Sequence, residues 1–208
     1  MEPTESLPPS AAPVPAPYHP VRLVVTDDLR RSRLTVFFRW ILAIPHMVWI
    51  VLWSVVALIA IVVNWLVTLI TGRSPEALHS FLVAYLRYYT HFTAYVYLLA
   101  DPFPGFTGVE GTYPIDLEID GPERQNRWKT AFRLILVIPA YILAAVLGYV
   151  IEIVGFLGWF VCLALGRMPQ GMRDLSAYCL RFQMQTYAYG AVVTDRYPSL
   201  NAGPQTST

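Results

Sequence analysis

Charge is scarce in this sequence. Only 14% of the 208 residues are Asp, Glu, Lys or Arg, against about 25% in an ordinary soluble domain. Lysine is nearly missing: of 15 basic residues, Lys129 alone is not arginine. Cysteine is confined to Cys162 and Cys179. Each shortage excludes something. A chain that is 55% hydrophobic with a net charge of +1 is not disordered throughout, because disorder needs low hydrophobicity and high net charge. No basic block marks a nucleic-acid surface, so nucleic acid is not an expected partner. Two cysteines, one of them inside an apolar run, point to free thiols rather than a disulfide framework. A cleavable leader is not expected either. Residues 1–17 hold Glu2, Glu5 and six prolines, which is the composition of a disordered tail. Residues 199–208 read likewise.

What the chain does have is two apolar runs. Residues 40–71 contain no charged side chain, and residues 134–165 contain only Glu152. Each run is 32 residues long, and about 20 apolar residues suffice to cross a bilayer. The mean hydropathy of +0.45 agrees. The expected class is an integral protein of the cell membrane.

The two runs belong to one unit written twice. A shift of 94 residues lays 20–104 on 114–198 without a gap, with 24 identities in 85 positions. Shared apolar composition does not produce matches such as Arg33/Arg127, Arg39/Arg133, Pro45/Pro139, Gly72/Gly166, Arg73/Arg167, Arg87/Arg181 and Asp101/Asp195. The domain plan is a repeat over 18–104, a linker over 105–112 and a second repeat over 113–198.

Each repeat has four expected parts. A short alternating segment opens it, Val21, Leu23, Val25 in one copy and Ile115, Leu117, Ile119 in the other, as in a half-buried strand. A two-stranded ribbon is marginal alone, so the two segments are expected to pair with each other. A basic lead-in helix follows over 34–44 and 128–138. It ends in a kink at Pro45 and Pro139, where the ring removes a helical hydrogen bond. A long apolar helix runs over 46–71 and 140–165. It stops at Gly72 and Gly166, each followed by a proline. An aromatic, amphipathic helix over 76–100 and 170–194 closes the unit. Its tyrosines suit the membrane interface, with Arg87 and Arg181 kept out of the expensive mid-membrane depth. The fold class is therefore an all-α membrane protein of two tandem repeats, each with a short β-segment.

Three topologies fit. One crossing per repeat makes the halves inverted, two make them parallel, and a re-entrant fold of each apolar run leaves all basic residues on one face. In the one-crossing version, nine arginines lie on the side of the termini. Six basic residues lie on the other, which places the termini in the cytoplasm of a multi-pass protein.

The strings RLTVFFRWILAIPHMVW, LITGRSP and TAYVYLLADPFP, with partners RWKTAFRLILVIPAY, ALGRMP and YAYGAVVTDRYP, resemble a bacterial membrane family, that of domain of unknown function 4389. The resemblance covers both repeats. Ala140 departs from the family's Ile-Pro-His step, Ser74 and Met168 from the Tyr of its stop, and Pro102 from the Arg of its end. The resemblance implies an integral membrane protein with this repeat and lends no activity.

No pattern for hydrolysis, phosphate cradling or metal binding occurs, so neither a cofactor, a metal nor an enzymatic activity is expected. Glu152 is the sharpest single residue. An intramembrane carboxylate suggests proton or cation handling; the structural reading is a protonated group bonded to a neighbour such as Asn64. Gly148, Gly155 and Gly158 flank it and would admit another helix. The repeated arginines Arg33, Arg39, Arg73, Arg87, Arg127, Arg133, Arg167 and Arg181 are candidates for anionic lipid headgroups, since guanidinium forks match phosphate. Asp101 and Asp195 are candidates for ion pairs that tie repeat ends to repeat starts. The functional expectation is a non-enzymatic scaffold or accessory subunit, in contact with membrane lipids and with another membrane protein or itself. The alternative is an anionic-lipid-binding or transport module.

Overall fold

The computed structural model describes residues 19–201. The tail expected over 1–17, and most of that over 199–208, lies outside the described residues. The order of elements is β1 (Val21–Val25), α1 (Arg33–Thr71), α2 (Glu76–Val96), β2 (Ile115–Ile119), α3 (Arg127–Ala131), α4 (Arg133–Leu136), α5 (Ile138–Leu165) and α6 (Gln170–Gly190). The bounds of the second half are those of the first moved by 94 residues.

The two strands pair antiparallel, and Leu23 faces Leu117, its own counterpart. The same reciprocity recurs away from the ribbon. Arg30 bridges Arg167 as Arg124 bridges Arg73. Trp65 Nε1 donates to Thr130 O at 2.8 Å, and Trp159 Nε1 donates to Val36 O at 3.0 Å. The halves are thus related by a pseudo-two-fold axis. Because the end of each long helix meets the start of the other, α1 and α5 run antiparallel.

Three layers result. The ribbon packs on α2 and α6, and these pack on α1 and α5. Burial follows the layers. Only 8 of 39 residues of α1 and 7 of 28 of α5 are buried, against 12 of 21 in each of α2 and α6. The buried stripe of α1 is Val36, Arg39, Ala43, His46, Ala57, Ala60, Asn64 and Thr68, a helical spacing along one side. The rest of its surface is apolar and uncovered, from Leu34 to Ile70. By length and composition α1 and the stretch Arg133–Leu165 could each cross a membrane.

Three expectations need correction. The lead-in and long helices of the first copy are one continuous helix through Pro45. The second copy breaks instead at Phe132 and Val137, and Pro139 then falls in the first turn of α5, where no hydrogen bond is lost. The aromatic helices do not lie on a surface. Both are interior, because one side meets the long helices and the other meets the ribbon. The ribbon of the two expected β-segments closes the third layer.

Both long helices end on a left-handed glycine, Gly72 at φ 77° and Gly166 at φ 69°. A side chain at either position would be strained, and a Cβ on Gly72 would also sit 3.4 Å from Arg127 Nε.

Candidate functional site

The repeated arginines divide into a buried and an exposed set. Arg39 and Arg133 are 2% and 0% exposed. Arg39 donates to the carbonyls of Tyr95 and Ala100 and to Asp101 Oδ1 at 2.8 Å. Arg133 repeats the arrangement on Tyr189, Thr194 and Asp195, the last at 2.7 Å. Each guanidinium also lies over a tyrosine ring, 4.5 Å from Tyr95 and 4.4 Å from Tyr189. These ion pairs tie the end of each repeat to its own start. They also close the C-terminal carbonyls of α2 and α6, which have no helical partners.

Arg87 and Arg181 are buried too. Arg87 donates to Leu117 O on β2, to Gly108 O and to Glu110. Arg181 lies 5.1 Å over the Tyr178 ring, and burial away from water lowers its pKa below the usual value, partly offset by that ring. The other four, Arg33, Arg73, Arg127 and Arg167, are exposed at the ends of the long helices. With Arg30 and Arg124, also exposed, they form two groups of three. Arg30, Arg33 and Arg167 meet at one end, and Arg73, Arg124 and Arg127 at the other. Arg33 also donates to Ala164 O at 2.9 Å.

Glu152 is exposed on α5. It is not bonded to Asn64, which lies at the far end of α1 and donates to the carbonyls of Ala191 and Val192 while accepting from Ser74 Oγ at 2.6 Å. The small residues around Glu152 face the chain itself rather than a second protein. A Cβ on Gly148 would lie 2.7 Å from Gln183 Nε2, on Gly155 2.8 Å from Tyr97 Cδ1, and on Gly158 3.1 Å from Met168.

Several connections were not visible in the sequence. His91 Nε2 lies 2.7 Å from Asp116 Oδ1, and Asp116 also accepts from the Gly111 and Leu117 N–H groups. Burial pushes this carboxyl up, but these hydrogen bonds outweigh it and hold it below the usual value. Asp116 stands where the first copy has Arg22, so alignment of the copies hid the pair. Arg31 donates to Leu98 O and Leu99 O and pairs with Asp27. Its counterpart Gln125 donates to Val192 O. Leu98 and Val192 both have positive φ, 66° and 61°, a costly backbone for side chains of this kind. Their carbonyls are held by matched partners. The shared carbonyl chemistry is invisible where Arg and Gln replace one another.

The model of a family described as Domain of unknown function (DUF4389) matches residues 33–107 and again 127–200. The chain belongs to this family. It carries two tandem copies of the DUF4389 domain, and the matched starts differ by the same 94 residues as the helices. No curated protein and no solved structure matches the chain. Both matches begin at the first residue of a long helical run, Arg33 or Arg127, so the strands β1 and β2 lie before the matched domains.

Proposed function

We propose that this DUF4389 protein is a non-enzymatic membrane scaffold seated in one leaflet, with α1 and α5 lying in the plane of the bilayer. The observation that carries the reading is the partition of charge between the layers. Apart from Glu152, which borders a crevice on α5, the long uncovered faces of α1 and α5 are built of apolar side chains. The opposite face holds the ribbon, whose Arg22 pairs with Glu118 at 3.0 Å and Asp120 at 3.6 Å. The ribbon sits midway along the helices, since Arg87, the twelfth of 21 residues in α2, reaches Leu117 O.

If α1 and α5 crossed the membrane end to end, that ribbon would sit at mid-depth. Each charge there costs about 3 kcal/mol or more. Laid flat, the same molecule puts its apolar layer in hydrocarbon and its ribbon in water. Amphipathic helices at interfaces follow the same logic. This seating replaces the multi-pass expectation. The exposed Arg33, Arg73, Arg127 and Arg167 then lie at the helix ends, bordering the water side. The described ends of the chain share it: His19 is bonded to Val21, and Ser199 to Gln185. A scaffold fits because Arg31, Arg39, Arg87 and Arg133 are engaged in holding backbone carbonyls and acids.

Depth measurements on single nitroxide labels test the seating. Labels at Ile41, Val55 and Ile70 on the uncovered face of α1 are expected at similar depth, with a label at Arg22 in water. A depth profile that peaks at Val55 and falls to zero at both ends overturns it.

A second reading, anionic-lipid binding, is favoured by the two exposed arginine triads. Backbone bridges bring like charges together there, and phosphate oxygens are suitable partners. Flotation on vesicles with and without phosphatidylglycerol, for the chain and for Arg33→Gln/Arg167→Gln, tests that reading. An unchanged preference removes it.

A further inference from the structure

The two copies differ in both space and charge at one place. On α5, Glu152 stands where α1 has Leu58, and Gly155 where α1 has Ile61. Tyr97 stands where the second copy has Ala191, and its ring lies against Gly155. Beside them a crevice of about 530 Å³ opens between α1 and α5, walled by Trp40, Phe156, Trp159 and Phe160. A more polar recess of about 260 Å³ shares Tyr97 and Glu152 and adds Thr93, Tyr149 and Gln183. Glu152 is the junction of the two. In the other half, the space around Ile61, Tyr187 and Ala191 is about 250 Å³ and has no acid in its wall.

We propose that this crevice binds an amphiphile with an alkylammonium head, Glu152 serving as the counter-ion and the aromatic wall receiving the tail. Among the described residues, no Arg, Lys or His forms an ion pair with Glu152. The one basic residue in the same wall, Arg39, is held by Asp101 and two carbonyls, so no basic side chain in the crevice pairs with Glu152. A carboxyl group in apolar surroundings takes either a proton or a cation. A proton alone needs no excavated space. An ammonium group gains from the carboxylate and from aromatic faces together, and its hydrocarbon tail fits between rings that face lipid. An anionic amphiphile would meet repulsion, and an uncharged one would leave the carboxyl group uncompensated. The inference does not depend on how the apolar layer sits in the bilayer, so its test is run in detergent.

The full chain, immobilised in nonionic detergent at pH 7, is titrated with radiolabelled dodecylamine. Saturable binding is expected, weakened about ten-fold by Glu152→Gln, as for loss of one charge-assisted hydrogen bond. Glu118→Gln, which removes an acid from the ribbon, is expected to leave binding unchanged. Dodecanol is expected to compete at least about ten-fold less well than unlabelled dodecylamine. Competition by phosphatidylethanolamine identifies a lipid headgroup as the source of the amine; competition by single-chain amines alone identifies a soluble amphiphile. Equal binding to Glu152→Gln, or equal competition by dodecanol, overturns the proposal in favour of a protonated carboxyl in an apolar crevice. Should Glu152→Gln fail to fold, the dodecanol comparison on the unaltered chain decides alone.

Discussion

The two copies solve the same packing problem with different residues, and the places where they diverge separate shared framework from local specialisation. At the joint between a long helix and the chain that follows it, the first copy uses Asn64 bonded to Ser74. The second uses Gly158 with Met168 folded against it. One joint is a small polar network that also holds the carbonyls of Ala191 and Val192; the other is a void filled by a flexible apolar side chain. Both are buried. Filling space and satisfying hydrogen bonds are interchangeable here only when both members of a pair change together. The arginine anchors, by contrast, are the same in both copies down to their acceptors.

That contrast can be broken at several points. The largest effect is expected at the anchors. Arg39→Met or Arg133→Met strips Asp101 or Asp195 of its guanidinium and leaves the Ala100 or Thr194 carbonyl without a donor. Each should cost about 3 kcal/mol or more, as for one-sided loss of a buried pair, read by denaturant titration in detergent. A cost confined to one copy would end the equivalence of the anchors.

Next comes the joint. Asn64→Gly alone orphans Ser74 and the Ala191 carbonyl, while Val192 O keeps Gln125, and is expected to lose about 2 kcal/mol. Adding Ser74→Met should recover part of it, because the pair then copies Gly158 and Met168. A double-mutant cycle measures the coupling. Strict additivity would mean that the two solutions are not exchangeable.

Smaller again is the difference between two glycines. Gly155→Ala brings a Cβ to 2.8 Å from the Tyr97 ring and 3.3 Å from its Cα, whereas Gly158→Ala comes close only to the flexible end of Met168, at 3.1 Å, with Leu98 Cδ1 at an ordinary 3.7 Å. We expect about 1–3 kcal/mol for the first and less for the second, from thermal unfolding of the two variants side by side.

The smallest effect is a pH dependence at the contact between Asp116 on β2 and helix α2. Asp116 titrates below its ordinary 3.8, so its contribution to stability is complete above that value and is lost as pH falls through the lower, folded-state pKa. The groups that face it are His91, Arg87 and the Gly111 and Leu117 N–H groups. Asp116→Asn should flatten stability below about pH 4. A variant that keeps the full acid limb refutes the assignment.

Much of the framework was legible because it is written twice. A 94-residue shift located both strands, both long helices, their glycine stops and the matched Arg–Asp partners. The pairing of the strands with each other followed from the weakness of a lone strand. What stayed hidden depends on direction in space. Arg39 and Arg33 are both arginines six residues apart near the start of one helix, yet one is buried on carbonyls and the other is exposed at the helix end. Helical phase relative to α2 decides that, and the sequence does not state it. The interior position of α2 and α6 was equally obscure, since a tyrosine-rich amphipathic helix looks the same whether its polar side meets water or a ribbon.

The sequence by itself determined the composition of the layers: two long apolar helices, guarded by arginine and stopped by glycine, in a duplicated unit of the DUF4389 family. Hydrophobic burial and helix-end chemistry are local properties, and repetition makes them audible. Tertiary structure alone decided how the halves meet. The antiparallel ribbon sets the pseudo-two-fold axis, and α2 and α6 separate that ribbon from the apolar layer. The axis also brings Glu152, Tyr97 and Trp40 around one crevice, although they are far apart in the chain. Only the packing of three separate helices creates that space.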